Sequence, residues 1–541
     1  MSLDLVEREL TEVGIFEDRG AVPLNTHEKK IDYYDVVLIH PNELQRNDFS
    51  SREFSVPISI WYLGSYLKAH GLRVKLVDCE SNPNHMEEIK ELVPKTSLVG
   101  LTMMTAQISH GMEIAKMVKG VNPNLSTVIG GIHPTLYYED VVNNQYIDFA
   151  VYGEGEIVLM ELVASLRLSE PDFFEIGALS YKKDGKVFYN EEKKAVDHGA
   201  YPDLDYDLLL DCLNKSNWNK NDIAKYSYPI ITSRGCPYKC TFCASAIIDE
   251  RTKVRSWPME KIMREVQRAL ELGFRDIFFW DDNILLGRAK IKTFLNEIKK
   301  LGTKFTWYGN ARADFFNERY LSKEILTELR ENGLNRMSIG AESGSQKMLD
   351  YMKKELKVEN YIKAAEYCAH AGIEPSFSFM IGMPYEEIED INATMDLIRK
   401  IGDILPIPKI IGPSMFLPLP GNDMYDDCVA SGWVPPSNLE EWADINSGYG
   451  SDAYERSWVK DPDVVLIIWF YSWLIGIETK KIIKILNKYS NLVGYSRLKT
   501  LVVVSAGVVG SICGKLRYKF NFYRFPIEVK LFSNFREIGA L

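Results

Sequence analysis

The sequence has little of the features that mark membrane, exported or nucleic-acid-binding proteins. Its 541 residues carry a net charge of −11, so we expect no nucleic-acid partner. The longest apolar runs, Val464–Ile477 and Leu501–Cys513, are too short for a transmembrane segment. The polar first 30 residues lack the apolar stretch of a secretory signal. We therefore expect a cytoplasmic protein with reduced cysteines.

Cysteine is scarce as well, yet three of the eight cysteines lie close together, at Cys236, Cys240 and Cys243. Gly235 and Pro237 prevent a continuous helix through this stretch, so a loop is predicted. Three thiolates on one short loop can face a common centre, which suits an iron–sulfur cluster. Zinc usually takes four protein ligands in structural sites, and no fourth Cys or His lies nearby. The alternative is a chance grouping of structural cysteines.

Short β-rich runs alternate with amphipathic segments from Tyr34 to Leu166, which predicts a doubly wound α/β domain with a parallel sheet. Such sheets bind ligands beyond the carboxyl ends of their strands. The segments that follow these strands include the pair Gly130-Gly131, where the backbone can approach a bulky ligand closely. One such pair alone would most often be a plain turn.

A second alternation, from Tyr228 to Phe416, has longer helices and six β-α units. It predicts a partial (β/α)6 TIM-like barrel, with its functional residues at the carboxyl ends of the strands. Asp281 and Asp282 follow the second strand, where adjacent acids need a partner. The alternative for one of them is a cap for the next helix. Arg312 follows the third strand and is expected to contact a cofactor or Asp282, or to form a surface ion pair.

The spacing C-x3-C-x2-C, with an aromatic residue before the last Cys, resembles the radical S-adenosylmethionine (radical SAM) superfamily. The resemblance implies that the three cysteines are catalytic and hold a [4Fe-4S] cluster. Its open iron would chelate the amino and carboxylate groups of S-adenosylmethionine. Later strand ends resemble the family's cofactor-binding elements. The S-adenosylmethionine-binding residues that the resemblance implies are Phe242, Asp282, Arg312, Glu342, Ser343 and Gly382.

The first α/β segment resembles the cobalamin-binding domain that precedes many radical SAM domains, because its strand ends read GG-x-HPT and GEGE. The D-x-H-x-x-G motif that supplies an axial histidine in many cobalamin methyltransferases is absent. His133 is the best remaining ligand candidate, although loop packing is its expected role. The alternative that the domain has this fold but binds no cobalamin is not excluded by the sequence. The implied cobalamin-binding residues are Asn42, Thr102, Met103, Thr105, Gly130, Gly131, His133, Pro134, Gly153 and Glu154.

These patterns divide the chain into five parts, ending in a mainly helical C-terminal region. The expected boundaries are a leader at 1–30, a cobalamin-binding-like Rossmann domain at 31–170, a hairpin and linker at 171–227, the radical SAM barrel at 228–416, and a substrate or capping region at 417–541.

The resemblance implies an enzyme that cleaves S-adenosylmethionine to a 5′-deoxyadenosyl radical, which takes hydrogen from an unactivated carbon. Methyl transfer to a small-molecule or lipid substrate is the first expectation, with flavodoxin or ferredoxin as electron donor. Two alternatives are a cyclase or oxygenase of the anaerobic porphyrin cyclase type and a cobalamin-free lipid-modifying enzyme. The sequence does not separate them.

Overall fold

The structure is a computed structural model that describes most of the chain up to residue 468. The described residues are 33–43, 56–191, 196–197, 199, 201–214, 220–248, 253–284, 287–405, 409–421, 423–447, 456–468 and 517. The expected leader at 1–30 and the apolar run Leu501–Cys513 lie outside this set.

The first sheet has seven strands in the order β2-β1-β3-β4-β5-β6-β7. Its first five strands pair in parallel, which confirms the predicted doubly wound arrangement. Residues Val36 to Ile39 of β1 are at most 2 % exposed, as expected for a parallel strand covered on both faces. The parallel strands are β1 Val36–His40, β2 Val74–Asp78, β3 Leu98–Thr102, β4 Ser126–Gly130 and β5 Phe149–Val151.

Helices separate these strands and begin close to where the sequence predicts them. One of the predicted amphipathic segments, for example, forms the helix Ile108–Val121 after β3. The α-helices of this part are Ile58–Ala69, His85–Leu92, Ile108–Val121, Ile132–Leu136, Tyr138–Val141, Glu156–Leu166 and Tyr206–Asn214, with 3-10 turns at Val93–Lys95 and Thr105–Gln107.

The predicted hairpin is present, and it extends the first sheet. β6 Leu179–Lys183 pairs antiparallel with β5, and β7 Lys186–Tyr189 pairs antiparallel with β6. Asp184 and Gly185 turn the chain with positive φ angles. The hairpin therefore belongs to the same sheet as the five parallel strands.

The second sheet has six strands in the order β15-β14-β13-β12-β11-β8, and every neighbouring pair is parallel. β8 and β15 are its two edges, so it is the open, partial barrel that the sequence predicts. A short antiparallel ribbon of β9 and β10 lies outside it. The strands are β8 Ser227–Ile230, β9 Ser233–Arg234, β10 Arg255–Ser256, β11 Asp276–Phe279, β12 Thr306–Ala311, β13 Leu334–Glu342, β14 Glu374–Ile381 and β15 Lys409–Met415.

The helices of the second part start and stop at recognisable signals. Ser322 caps the helix Lys323–Glu331 by accepting from the N–H of Ile325, and Gly372 ends the helix Val358–Ala371 in the left-handed conformation. The α-helices are Ala244–Ile247, Met259–Glu271, Arg288–Lys300, Lys323–Glu331, Gln346–Tyr351, Val358–Ala371 and Ile388–Ile404, with 3-10 turns at Lys220–Lys225 and Ala313–Phe315.

After the second sheet the described chain is helical, at Asp423–Ala430, Leu439–Ser447 and residues 462–468. Within the described ranges, no helix is long and apolar enough to cross a membrane. The chain forms two compact units: Met1–Trp218 with Ser437–Ala443, and Asn219–Pro436 with Asp444–Leu541. The seven-stranded sheet lies in the first unit and the partial barrel in the second.

Candidate active site

The three clustered cysteines lie on the loop after β9, at the carboxyl end of the barrel's first strand. All three are half-buried and carry free thiols. The N–H of Thr241 donates to the carbonyl of Met352 over 3.0 Å, which ties the loop to the chain after the helix Gln346–Tyr351. We name residues 235–243 the cysteine loop.

Asp281 anchors the chain at the entry to the cysteine loop. One of its carboxylate oxygens accepts the backbone N–H groups of Thr232 and Ser233, over 2.6 and 3.1 Å. The other accepts both of their hydroxyl groups. Burial raises the pKa of the Asp281 carboxyl, and these hydrogen bonds act against that shift. Adjacent acids at a strand end were expected to need a partner. For Asp281, the partners are the N–H and hydroxyl groups of Thr232 and Ser233.

Asp282 takes no part in this anchor. Its carboxylate is exposed and its one described side-chain hydrogen bond is a 3.2 Å contact with the hydroxyl of Ser245. The idea that one of the two acids caps the next helix is wrong, because that helix begins at Arg288 and Gly287 holds the cap position. Asp282 is thus the acid that stays accessible beside the cysteine loop.

Arg312 is buried, at 8 % exposure, and its described ion pair is with the partly exposed Asp314 rather than with Asp282. Its guanidinium lies 3.5 Å above the ring centroid of Tyr238, in the cysteine loop. It also donates to the carbonyl of Lys354 over 2.9 Å and pairs with Asp314 at 3.2 Å. The structure therefore gives Arg312 an acidic partner other than Asp282, and its contact with a cofactor stays a prediction.

Lys354 is a site residue that sequence reasoning missed. It is 6 % exposed, and its Nζ lies 3.0 Å from Glu342 Oε1 and 5.3 Å from the ring centroid of Phe242. Glu342 ends β13 with a φ of 65°, a strained conformation for a residue with a side chain. The structure thus brings three of the predicted cofactor residues, Phe242, Arg312 and Glu342, around one buried lysine.

These cations act on the cysteine loop electrostatically. Burial raises the pKa of the Cys240 thiol, and the charges of Lys354 and Arg312 lower it. Burial also raises the pKa of the Cys236 thiol, whereas a hydrogen bond from the N–H of Tyr238 lowers it. Negative charge on the other two cysteines raises it further, so the three thiols lie within electrostatic range of one another. Such a set favours a cationic metal centre.

Ser343 and Gly382 are already engaged inside the protein. Ser343 is 0 % exposed, and its hydroxyl hydrogen-bonds that of Thr394 over 3.1 Å. The N–H of Gly382 donates to Glu386 Oε2 over 2.6 Å, and its carbonyl accepts from the indole of Trp458. These bonds shape the strand ends, and any contact of Gly382 with a cofactor would use its apolar surface.

The predicted cobalamin residues come together at one edge of the first sheet. Met103 donates its N–H to the carbonyl of Gly130 over 2.7 Å and accepts the N–H of His133. Gly131 has a φ of 106°, and a Cβ there would lie 2.8 Å from the carbonyl oxygen of Met103. Thr135 bridges this turn to Gly153, whose N–H donates to its hydroxyl over 3.0 Å. Because Gly130, Gly131 and Gly153 carry no side chains, they form a low rim along this edge of the sheet, as a bulky ligand requires.

The other predicted residues border the same edge. Thr102 is the last residue of β3, Pro134 is buried in the helix Ile132–Leu136, and Glu154 follows Gly153 half-buried. Asn42 follows β1, and its N–H donates to the Nδ1 of His110 over 2.9 Å.

His133 is held as a packing residue. Its ring stacks on Tyr137, with centroids 5.0 Å apart, and meets Trp442 edge-on at 5.7 Å. Its Nδ1 shares a 3.2 Å hydrogen bond with Thr105, while Nε2 is buried without a partner among the described residues. Burial lowers the pKa of His133 to about 3. Trp442 comes from the segment Ser437–Ala443, and no sequence pattern linked it to this loop.

Three further side chains, Cys79, His85 and His110, bring potential ligand atoms within 4.8 Å of one another. The hydrogen bonds around the two histidines indicate which of their ring nitrogens carry a hydrogen. His110 Nδ1 accepts the N–H of Asn42, so Nε2 of the neutral ring carries a hydrogen. His85 Nδ1 faces the carbonyl of Asn82, which leaves its Nε2 as the acceptor at 3.1 Å. A histidine–histidine hydrogen bond accounts for this cluster better than a metal.

Two family models match the chain over these two regions. Residues 230–398 match the radical SAM superfamily, and residues 50–163 match the B12-binding domain. The first match contains the cysteine loop, Asp282, Arg312, Glu342 and Gly382. The second contains the three glycines of the low rim. These domains imply a [4Fe-4S] cluster, S-adenosylmethionine and cobalamin as cofactors. The free thiols and the low rim described above fit the cluster and cobalamin.

The chain is similar to known proteins over most of its length, and it shares its fold with a solved structure. An uncharacterized methyltransferase of Pyrococcus horikoshii is 27 % identical, over 72 % of this chain and 82 % of its own length. An anaerobic magnesium-protoporphyrin IX monomethyl ester cyclase of Rubrivivax gelatinosus is 26 % identical, over 72 % of this chain and 69 % of the cyclase. The structure of OxsB, a cobalamin-dependent S-adenosylmethionine radical enzyme, shares the fold with a TM-score of 0.63 at 18 % identity, covering 96 % of this chain and 79 % of OxsB.

The two domain matches and the free thiols of the cysteine loop support the same assignment. The protein is therefore a radical SAM enzyme with an N-terminal B12-binding domain.

Proposed function

We propose that the protein is a methyltransferase that adds a methyl group to an unactivated carbon of a small-molecule or lipid substrate. The observation that carries the proposal is the combination of the half-buried cysteine loop with a B12-binding domain in one chain. Matches to a methyltransferase over most of its length support it. When bound, the cluster and S-adenosylmethionine supply a 5′-deoxyadenosyl radical, and cobalamin supplies methyl-transfer chemistry.

The residues at the barrel's strand ends suit the charged methionine end of S-adenosylmethionine. Asp282 is exposed beside the cysteine loop and is positioned to hold an ammonium group. Arg312 and Lys354 place positive charge near Cys240, where a carboxylate is favoured. Glu342, oriented by Lys354, is a candidate acceptor for hydroxyl groups of the ribose. Ser343 and Gly382 would act by shaping the chain around the nucleoside.

The low rim of the first unit would receive cobalamin. Gly130, Gly131 and Gly153 let the backbone approach the ligand, and Thr135 fixes their relative positions. His133 is enclosed by aromatic rings, so its role there is to support the loop. We therefore propose that cobalamin binds without a bond from His133 to cobalt.

A cyclase or oxygenase is the second candidate, favoured by the likeness to the anaerobic cyclase of Rubrivivax gelatinosus. The two reactions differ in what becomes of S-adenosylmethionine. Methyl transfer consumes one molecule as a radical source and one as a methyl donor, whereas cyclisation needs no methyl donor. A cobalamin-free lipid-modifying enzyme is disfavoured by the B12-binding match.

The test uses full-length protein, reconstituted anaerobically with iron, sulfide and cobalamin and reduced with dithionite. It receives S-adenosylmethionine with a trideuterated methyl group and a small-molecule and lipid extract of cells. We expect S-adenosylhomocysteine and 5′-deoxyadenosine together, and a product that carries the deuterated methyl group. Release of 5′-deoxyadenosine alone would reject methyl transfer and support the cyclase type.

We also propose that a low-potential protein such as flavodoxin or ferredoxin supplies the electron, and that the enzyme works in the reducing cytoplasm. A half-buried cluster site with free thiols supports both points. The net charge of −11 supports the absence of a nucleic-acid partner. Replacement of dithionite by reduced flavodoxin should sustain 5′-deoxyadenosine formation in the same assay, and failure with every low-potential carrier would contradict this.

A further inference from the structure

The side chain of Asn283 donates a hydrogen bond to one of the three cysteines. Its Nδ2 lies 3.3 Å from the Sγ of Cys236, a normal distance for an N–H···S bond. Asn283 is 5 % exposed, so water competes little for this contact. A thiolate only accepts hydrogen bonds, and the amide therefore presents its NH2 group rather than its oxygen.

The chain on both sides of Asn283 is fixed by further hydrogen bonds. The N–H of Ile284 donates to the carbonyl of Asn310 over 3.0 Å. The side chain of Asn310 donates in turn to the carbonyl of Asp281 over 2.8 Å. Asp281 itself is tied to the entry of the cysteine loop. Asn283 is therefore held in place by bonds that do not depend on the thiol.

The three cysteines do not share the same electrostatic environment. Cys240 lies near the cations Arg312 and Lys354. Cys236 instead has neutral donors, the backbone N–H of Tyr238 and the side chain of Asn283, and a negative neighbour in Asp282. Of these, the amide of Asn283 is the side-chain donor that the structure places on Cys236.

We propose that Asn283 is a positioning residue that holds the Cys236 thiolate and raises the reduction potential of the cluster. The proposal rests on the proposed function only in requiring the cluster at these cysteines. Reduction adds one negative charge, part of which resides on the cysteine sulfurs. An N–H donor stabilises the reduced form more than the oxidised form, and hydrogen bonds to the sulfurs are known to set cluster potentials. Loss of the donor then makes the cluster harder to reduce.

The test is a redox titration of reconstituted full-length protein, followed by the EPR signal of the reduced cluster. In Asn283→Ala, we expect the ratio of reduced to oxidised cluster at a fixed potential to fall about tenfold, which is about 59 mV for one electron. Asn283→Asp keeps the side-chain shape but replaces the donor with an acceptor, so its fall should be larger. Asn332→Ala is the control, because it removes a side-chain amide that donates to the carbonyl of Glu328 and touches neither a thiol nor the chain around Asn283.

An unchanged potential in Asn283→Ala and Asn283→Asp, at full iron content, would overturn the proposal. An equal shift in Asn332→Ala would overturn it as well, because the effect would then not depend on the donor at Cys236. If the variants lose their cluster, pulsed EPR of reduced wild-type protein with 15N-labelled asparagine decides: a nitrogen coupling supports the bond, and none rejects it. Failure of the wild type to bind iron would instead reject the cluster site itself, which keeps the two results separate.

Discussion

Lys354 Nζ lies 3.0 Å from Glu342 Oε1, and the two side chains are only 7 % and 11 % exposed. The pair joins the end of β13 to the loop after the helix Gln346–Tyr351. Arg312 binds the carbonyl of the same lysine. A buried ion pair and a buried arginine thus meet beside the cysteine loop.

We predict that Lys354→Met destabilises the protein by about 3–5 kcal/mol, because it leaves the carboxylate of Glu342 buried without its cation. The double variant Lys354→Met/Glu342→Gln should recover a large part of the loss, since neither charge remains. Guanidinium unfolding of the three proteins measures both effects. A single variant as stable as wild type would show that water solvates Glu342.

Asp281→Ala should cost more than Asp282→Ala, although the two acids are adjacent. The first change removes the acceptor of four hydrogen bonds from Thr232 and Ser233, and buried donors without partners cost about 1–3 kcal/mol each. The second removes one 3.2 Å contact from an exposed side chain. We expect Asp281→Ala to lower the iron bound per chain after reconstitution, and Asp282→Ala to retain it.

Asp282→Ala, which should retain its cluster, is expected to impair binding of S-adenosylmethionine instead. Asp282→Ala is expected to weaken binding to the reconstituted enzyme about tenfold, the size of one charge-assisted hydrogen bond. Isothermal titration calorimetry under nitrogen measures it. Equal iron loss in both variants would contradict the assignment of Asp281 as the anchor.

Glu386 predicts a pH dependence of stability near neutrality. Burial raises the pKa of its carboxyl to about 8, although two backbone N–H groups favour its charged form. An ordinary glutamate loses its proton near pH 4.5, so the folded state binds the extra proton between pH 4.5 and 8. The contribution of Glu386 to stability is complete below pH 4.5 and declines as the pH rises to 8.

Glu386→Gln should remove this decline, because the amide does not ionise and its oxygen can still accept the N–H of Gly382. Denaturant midpoints of wild type and variant at several pH values between 5 and 8.5 provide the measurement. The two curves should differ in slope, with the variant less sensitive to pH. Parallel curves would show that Glu386 is charged in the folded protein at pH 7.

His133 predicts an acid-dependent loss of stability in the first unit. Its pKa falls from 6.5 to about 3 in the folded state because it is buried. The unfolded chain therefore binds a proton between pH 6.5 and 3 that the folded protein excludes. Stability falls as the pH drops through this window and is unaffected by His133 above it. His133→Phe should flatten the acid limb of a thermal unfolding profile, and an unchanged limb would contradict the burial of His133.

The same variant tests its role toward cobalamin. Since the proposed role of His133 is to support the loop, His133→Phe should keep the EPR spectrum of bound cob(II)alamin unchanged. Loss of a nitrogen splitting in the variant would instead identify His133 as the cobalt ligand.

The sequence predicted both sheets well because each strand is a short apolar run. The cysteine motif could be recognised because its three residues lie close together in the sequence. It left open which of two adjacent acids turns inward. Neighbouring side chains near a strand end point to opposite sides, and only the register of the fold decides that Asp281 faces the loop. Lys354 was missed because its partners lie on other strands and its own loop has no motif. Trp442 was missed because its contact with His133 spans about three hundred residues of chain.

The membership of Ser437–Ala443 in the first unit bears on how the protein is made. Synthesis runs from the N-terminus, so the first unit emerges long before the segment that carries Trp442. Until then the ring of His133 lacks one of its two aromatic neighbours. The unit that begins first on the ribosome is therefore completed only after all six strands of the barrel have been translated.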